Sequence, residues 1–172
     1  MKINARIRRL SLVLFLMVSL AAVAMPASAL TLTSYTAEIQ DDGNAILTFN
    51  YDMTFVEYVG YYLNIANPGK LIKEEYDKHA NMPGEVLSTD SKGTCFKVYG
   101  YASVSDDVNG KTITTPSQSF QKAEAILKEH PIANLTTFDL SPDITRVVFS
   151  DGYCENFYNE LSIPSITHVI RR

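Results

Sequence analysis

The sequence predicts an α+β fold: a hairpin-rich antiparallel β-sheet of about six to eight strands, with two or three helices packed on one face. Three observations predict it. Thr-, Tyr- and Val-rich runs with two-residue alternation are separated by Asp/Asn/Gly turns. Stretches in the middle of the chain change to a helical period. The C-terminal third then returns to short strand-like runs cut by Pro and Gly.

The elements follow in order. Leu32 to Gln40 (LTSYTAEIQ) alternates and reads as a strand. Asp41-Asp42-Gly43-Asn44 is a turn, and Ala45 to Tyr51 (AILTFNY) returns as the second arm of a hairpin. Asp41, Asp42 and Asn44 are calcium-type ligands, but the spacing of a calcium loop and its distal Glu are missing. Turn chemistry accounts for them, and no metal or other cofactor is expected.

Phe55, Val59, Tyr62, Leu63 and Ala66 fall on one face of a predicted first helix, which Gly60 weakens by ~1 kcal/mol relative to Ala. Tyr58, Tyr61 and Tyr62 circle it. They fit core packing with hydroxyls at the rim, or an aromatic contact surface for a protein or small ligand. Asn67-Pro68 reads as an N-cap followed by proline in the first turn of a second helix, ending near Ala80. Leu71, Ile72 and Tyr76 would face the core. Glu74, Glu75 and Asp77 stand among Lys70, Lys73 and Lys78 and read as a solvated, ion-paired face rather than an acid–base cluster.

Thr94 to Val104 reads as one strand, with Cys95, Lys97, Tyr99 and Tyr101 on one face and Phe96, Val98, Gly100 and Ala102 on the other. Asn109-Gly110 marks the next hairpin turn. Thr115-Pro116-Ser117-Gln118 has the shape of a capping box. Phe120, Ala123 and Leu127 line a third helix up to His130, where Pro131 stops it. Four strand-like runs follow: LTTFDL, ITRVVFS, GYCENFYNELSI and ITHVIRR. SYTAEIQDDGNAILT and GYASVSDDVNGKTIT echo each other as hairpins followed by helices, which fits either a duplicated unit or the reuse of turn residues.

The first 29 residues have the layout of a secretory signal peptide. Lys2, Arg6, Arg8 and Arg9 form a basic start, and Leu10 to Ala24 is an uncharged, mostly apolar run. Ala27-Ser28-Ala29 is a small-x-small cleavage pattern. The apolar run has 15 residues, short of the roughly 20 a membrane-spanning helix needs. A single domain, residues 30–172, is therefore expected outside the cytoplasm, secreted or periplasmic, with no membrane contact after cleavage. The leader carries four of the 15 basic residues and no acidic one, which leaves a net charge of −8. Such a surface disfavours nucleic acid and anionic lipid.

An oxidising compartment favours disulfides, and two cysteines allow one internal pairing, Cys95 to Cys154. Closing a loop of this length would stabilise by roughly 4 kcal/mol. His79, His130 and His168 sit in no local catalytic or zinc motif. Asn134-Leu135-Thr136 matches a glycosylation acceptor, which acts only in a eukaryotic secretory pathway. No nucleophile elbow, phosphate loop or dinucleotide fingerprint is present in the sequence. The expectation is a small exported, non-enzymatic binding or protein-interaction module. Its rivals are a secreted hydrolase whose residues converge only in space, and a structural cell-envelope subunit.

Overall fold

A computed structural model of the chain describes residues 29–54, 57, 62, 67–108, 110–129 and 137–171. The first strand, β1 (Ala29–Ile39), and β2 (Ala45–Asp52) form the expected hairpin. Its turn closes through Asp42, whose Oδ1 accepts from the Asn44 N–H at 3.0 Å. Gly43 has φ +81°, and a Cβ there would lie 2.5 Å from the Ala102 carbonyl oxygen. Any side chain would clash at that point as well as strain the backbone.

Helix α1 (Pro68–His79) starts as its sequence dictates. Asn67 Oδ1 accepts from the Lys70 N–H at 3.1 Å, and proline occupies the first turn. Strands β3 (Gly84–Thr89) and β4 (Gly93–Val98) pair antiparallel. β5 (Ser103–Asp107) and β6 (Gly110–Thr114) make the second expected hairpin. A two-residue β7 (Gln118–Ser119) leads into α2 (Phe120–Glu129). The chain ends through β8 (Thr137–Asp139), β9 (Ile144–Phe149), β10 (Cys154–Tyr158), β11 (Ser162–Ile163) and β12 (Thr167–Arg171).

The main sheet has seven strands, in the order β10-β9-β1-β2-β4-β3 with β8 also on β1. A three-stranded sheet, β12-β6-β5, and the β11-β7 pair complete the strand structure among the described residues. Alternation decides which face is buried. Tyr35, Ala37, Ile39, Ala45, Leu47, Phe96, Val98, Val147 and Phe149 point to the core, where Ile113, Phe120, Ile163 and Ile166 from the other elements meet them. Leu32 and Tyr35 are both buried although three residues apart, because a bulge between Leu32 and Ser34 resets the alternation.

The fold is sheet-rich α+β, with mixed but largely antiparallel pairing, and it corrects the sequence reading at several points. There are twelve strands among the described residues, against the six to eight expected, together with two helices. β1 pairs in parallel with β8 and β9, where only antiparallel pairing was expected. The 94–104 strand breaks after Val98 because Gly100 turns the backbone at φ +65°, and β5 joins a different sheet. The 152–163 strand breaks at Asn159, the one non-glycine with positive φ among the described residues, at 54°. The third helix starts at Phe120, not at 116, with Ser119 Oγ capping the Lys122 N–H at 3.2 Å. The predicted 55–66 helix lies outside the described residues except for Glu57 and Tyr62, both helical.

Candidate functional site

Two helices and one sheet face leave an apolar cavity of about 280 Å³ between them. β1 contributes Leu30 and Leu32, and β2 contributes Phe49 and Tyr51. From α1 come Pro68, Leu71, Ile72, Glu75 and Tyr76, the i, i+3, i+4, i+7, i+8 stripe of one helical face. From α2 come Phe120, Ala123 and Ile126, and Leu140 closes the set beyond β8. Carbon lines nearly all of it. Apolar space of this size is costly to leave empty, on the order of several kcal/mol when it is enclosed.

Three of the lining residues carry polar tips, which differ in how they are satisfied. The Tyr51 hydroxyl donates to the Asp90 carbonyl at 2.9 Å and shares a bond with Thr94 Oγ1 at 3.1 Å. Glu75 has a side chain only 14% exposed and holds Lys78 Nζ at 2.5 Å. The Tyr76 hydroxyl is buried with no hydrogen-bond partner among the described residues, and burial, helped by the charge of Asp77, pushes its pKa up. Deeper in the core, burial pushes Tyr35 up to about 12 despite bonds from Gln118 and Tyr101, and pushes Tyr101 up as well.

The α1 carboxylates divide by face. Glu74 pairs with Lys70 at 3.8 Å and Asp77 pairs with Lys73, both on the solvent side as expected. Glu75 departs from that expectation by lining the cavity.

A second, larger hollow of about 450 Å³ is polar, lined by Ser117, Gln118, Ser119, Lys122, Ser162, Ile163 and Pro164. Ser119 is already used as the α2 cap, and no carboxylate or histidine lines the hollow among the described residues.

His168 reaches the only catalytic-type arrangement among the described residues, and the chemistry stops short. Its Nε2 lies 2.7 Å from Asp151 Oδ2, and its ring stacks on Tyr153 at 4.2 Å and 4°. Phe149 packs against it at 5.0 Å. That hydrogen bond, with a second from the Tyr153 N–H, holds the Asp151 carboxyl below its ordinary value. The neighbouring Ser150 hydroxyl goes to Asp41 instead. The cluster ties the β9–β10 turn to β12, and neither of the two hollows described above has His168 or Asp151 in its lining.

The other sequence-predicted residues are dispersed. Cys95 and Cys154 are free thiols, so the expected disulfide is not formed. Both lie on main-sheet strands, but β4 and β10 are separated by β2, β1 and β9, four interstrand steps or roughly 19 Å. No bridge spans that distance. Of the tyrosine surface, Tyr62 is 79% exposed, while Tyr58 and Tyr61 lie outside the described residues, as do Asn134 and His130. No cluster of three or more His, Cys, Asp or Glu side chains suited to a metal exists among the described residues. No helix among them is long and apolar enough to cross a membrane.

Comparison with protein-family models, with curated proteins and with solved structures finds no match to this chain.

Proposed function

We propose that this chain is an exported, non-enzymatic binding domain whose ligand is a small apolar molecule held between α1, α2 and the main sheet. The carrying observation is the cavity of about 280 Å³ with an almost wholly carbon lining. Its size sits at the lower edge of ordinary ligand pockets, room for one fused ring system or a short alkyl chain. Export rests on the leader-like first 29 residues. Cleavage after Ala29 would leave Leu30 and Thr31 to keep their pairing with Phe138 and Asp139.

The hydrolase reading has one observation in its favour, the His168–Asp151 pair. Hydrolysis also needs a nucleophile beside the histidine and a place for substrate. Ser150 is bonded elsewhere, and the apolar cavity has neither His168 nor Asp151 in its lining.

The test is equilibrium titration of the mature chain with naphthalene, followed by its own fluorescence and by calorimetry. Saturable one-to-one binding in the micromolar range, lost in Ala123→Phe, is the expected result. Absence of saturable binding, or binding that Ala123→Phe leaves intact, would overturn the proposal.

A further inference from the structure

The main sheet ends on β10, and the hydrogen-bond ladder shows which of its backbone groups are spare. The Phe149 N–H donates to the Tyr153 carbonyl at 2.8 Å, and the Asn159 N–H donates to the Asp143 carbonyl at 3.1 Å. The register between them runs unbroken from Cys154↔Val148 to Tyr158↔Ile144. Glu155 with Val147 and Phe157 with Thr145 are therefore the hydrogen-bonded pairs. Cys154, Asn156 and Tyr158 turn their N–H and C=O groups away from β9, and these groups have no partner among the described residues. β10 carries none of the common edge blocks: no bulge, no proline and no lysine. The sheet's other edge, β3, is bulged between Val86 and Ser88. At β10 the Tyr158 side chain is 64% exposed, and Phe157 is half-buried against the core.

We propose that β10 is a docking edge that takes up an extended, basic segment of another polypeptide as an added antiparallel strand. Charge decides the occupant. From Val147 to Thr167 the sequence holds Asp151, Glu155 and Glu160 and no basic residue. The Arg146 side chain bonds Asn156, on the sheet face opposite Glu155. A second copy is the wrong partner. Twofold pairing over the full strand, centred on Asn156, sets each Glu155 diagonal to its copy, between two chains that each carry a net charge of −8. A lysine or arginine at that place turns the repulsion into attraction. The ladder also fixes the order of the segment. With Cys154, Asn156 and Tyr158 bonded to it, Glu155 and Phe157 become the closely spaced, non-hydrogen-bonded positions. Running antiparallel, the segment meets Phe157 first and Glu155 two residues later, so its core reads apolar-x-basic. This proposal stands apart from the cavity, whose lining includes no β10 residue.

The probe is the peptide acetyl-Thr-Val-Ile-Thr-Lys-Thr-Thr-amide, in which Ile falls opposite Phe157 and Lys opposite Glu155. A second peptide has Glu in place of that Lys. Both are titrated into the mature chain by calorimetry, and amide hydrogen exchange is followed residue by residue. The Lys peptide should bind one-to-one, about three- to tenfold more tightly than the Glu peptide. The amides of Cys154, Asn156 and Tyr158 should gain protection on binding, and those of β3 should not. Glu155→Lys should reverse the order of the two peptides, a result that a misfolded variant cannot give. Asn156→Pro removes an outward N–H and keeps the bonds to β9, so it should keep the circular dichroism of wild type and lose the Lys peptide. No saturable binding of the Lys peptide would overturn the proposal. So would equal affinities for the two peptides, an order that survives Glu155→Lys, or protection at β3 in place of β10. Protection of the β10 amides that rises with chain concentration in the absence of peptide would make a second copy the occupant and overturn the basic segment.

Discussion

Ala123→Phe puts a phenyl ring where the structure has space. Ala123 is half-buried on α2, between Phe120 and Ile126, and borders the cavity. Full burial of a phenylalanine side chain stabilises by about 1.5–3 kcal/mol, and forcing bulk into a filled core costs about 1–3 kcal/mol. With about 280 Å³ open, the first effect should win. The variant should gain about 1–2 kcal/mol, which for a domain of this size raises the melting temperature by roughly 3–8 °C. Urea unfolding followed by far-ultraviolet circular dichroism measures it, with an unchanged slope as the sign that only stability moved. Ala45→Phe is the control. Ala45 is fully buried on β2 and lies outside the lining of that cavity, so the same ring should there destabilise by about 1–3 kcal/mol. Loss of stability in Ala123→Phe comparable to that in Ala45→Phe would show the space to be closed in solution and refute the reasoning.

Two further predictions rest on the core and the thiols. Tyr35 keeps its proton to about pH 12 in the folded chain, while the unfolded chain releases it near 10. The unfolded state then binds fewer protons in that window, so stability falls as pH rises, by about 2–3 kcal/mol from this group. Tyr35→Phe should cost about 1–2 kcal/mol at pH 7 through its lost bonds, yet fall less steeply between pH 10 and 12; parallel urea-midpoint curves would refute the assignment. Unreduced, denatured monomer should titrate two thiols per chain, with exposed Cys154 reacting faster than half-buried Cys95 in the native state; no reactive thiol would restore the disulfide.

What the sequence made legible was local. The hairpin at Asp42-Gly43-Asn44, the Asn67-Pro68 helix start and the inward faces of Phe96 and Val98 each follow from a few adjacent residues. A further local signal went unread: Thr54 and Glu57 form one half of a capping box, with Glu57 Oε2 accepting from the Thr54 N–H at 2.7 Å. Non-local pairing was not legible. Nothing within Ala29–Ile39 announces that β9, more than a hundred residues later, will lie beside it in parallel. The disulfide expectation failed for the same reason. Two aromatic strands each holding a cysteine look adjacent in sequence logic, but strand order decides distance, and three other strands intervene.

The cavity was legible only as its walls. Leu71, Ile72 and Tyr76 on α1, and Phe120 and Ala123 on α2, have the spacing of core-facing stripes, and they do face inward. Periodicity specifies which side of a helix turns inward. It does not specify how far that side stands from the sheet, and a void is a matter of that distance. One residue did break the pattern. Glu75 sits in the middle of the 68, 71, 72, 75, 76 stripe, where an apolar residue would bury more favourably. On the solvated-face reading it was grouped with Glu74 and Asp77 because its sequence neighbours are charged. The helical angle argues otherwise: Glu75 lies three residues after Ile72 and four after Leu71, on their face, whereas Glu74 and Asp77 turn away with Lys70 and Lys73. A carboxylate kept on an apolar face must still reach a counter-charge, and Lys78, three residues on, supplies it. That misfit between stripe and side chain is the one mark the cavity leaves in the sequence.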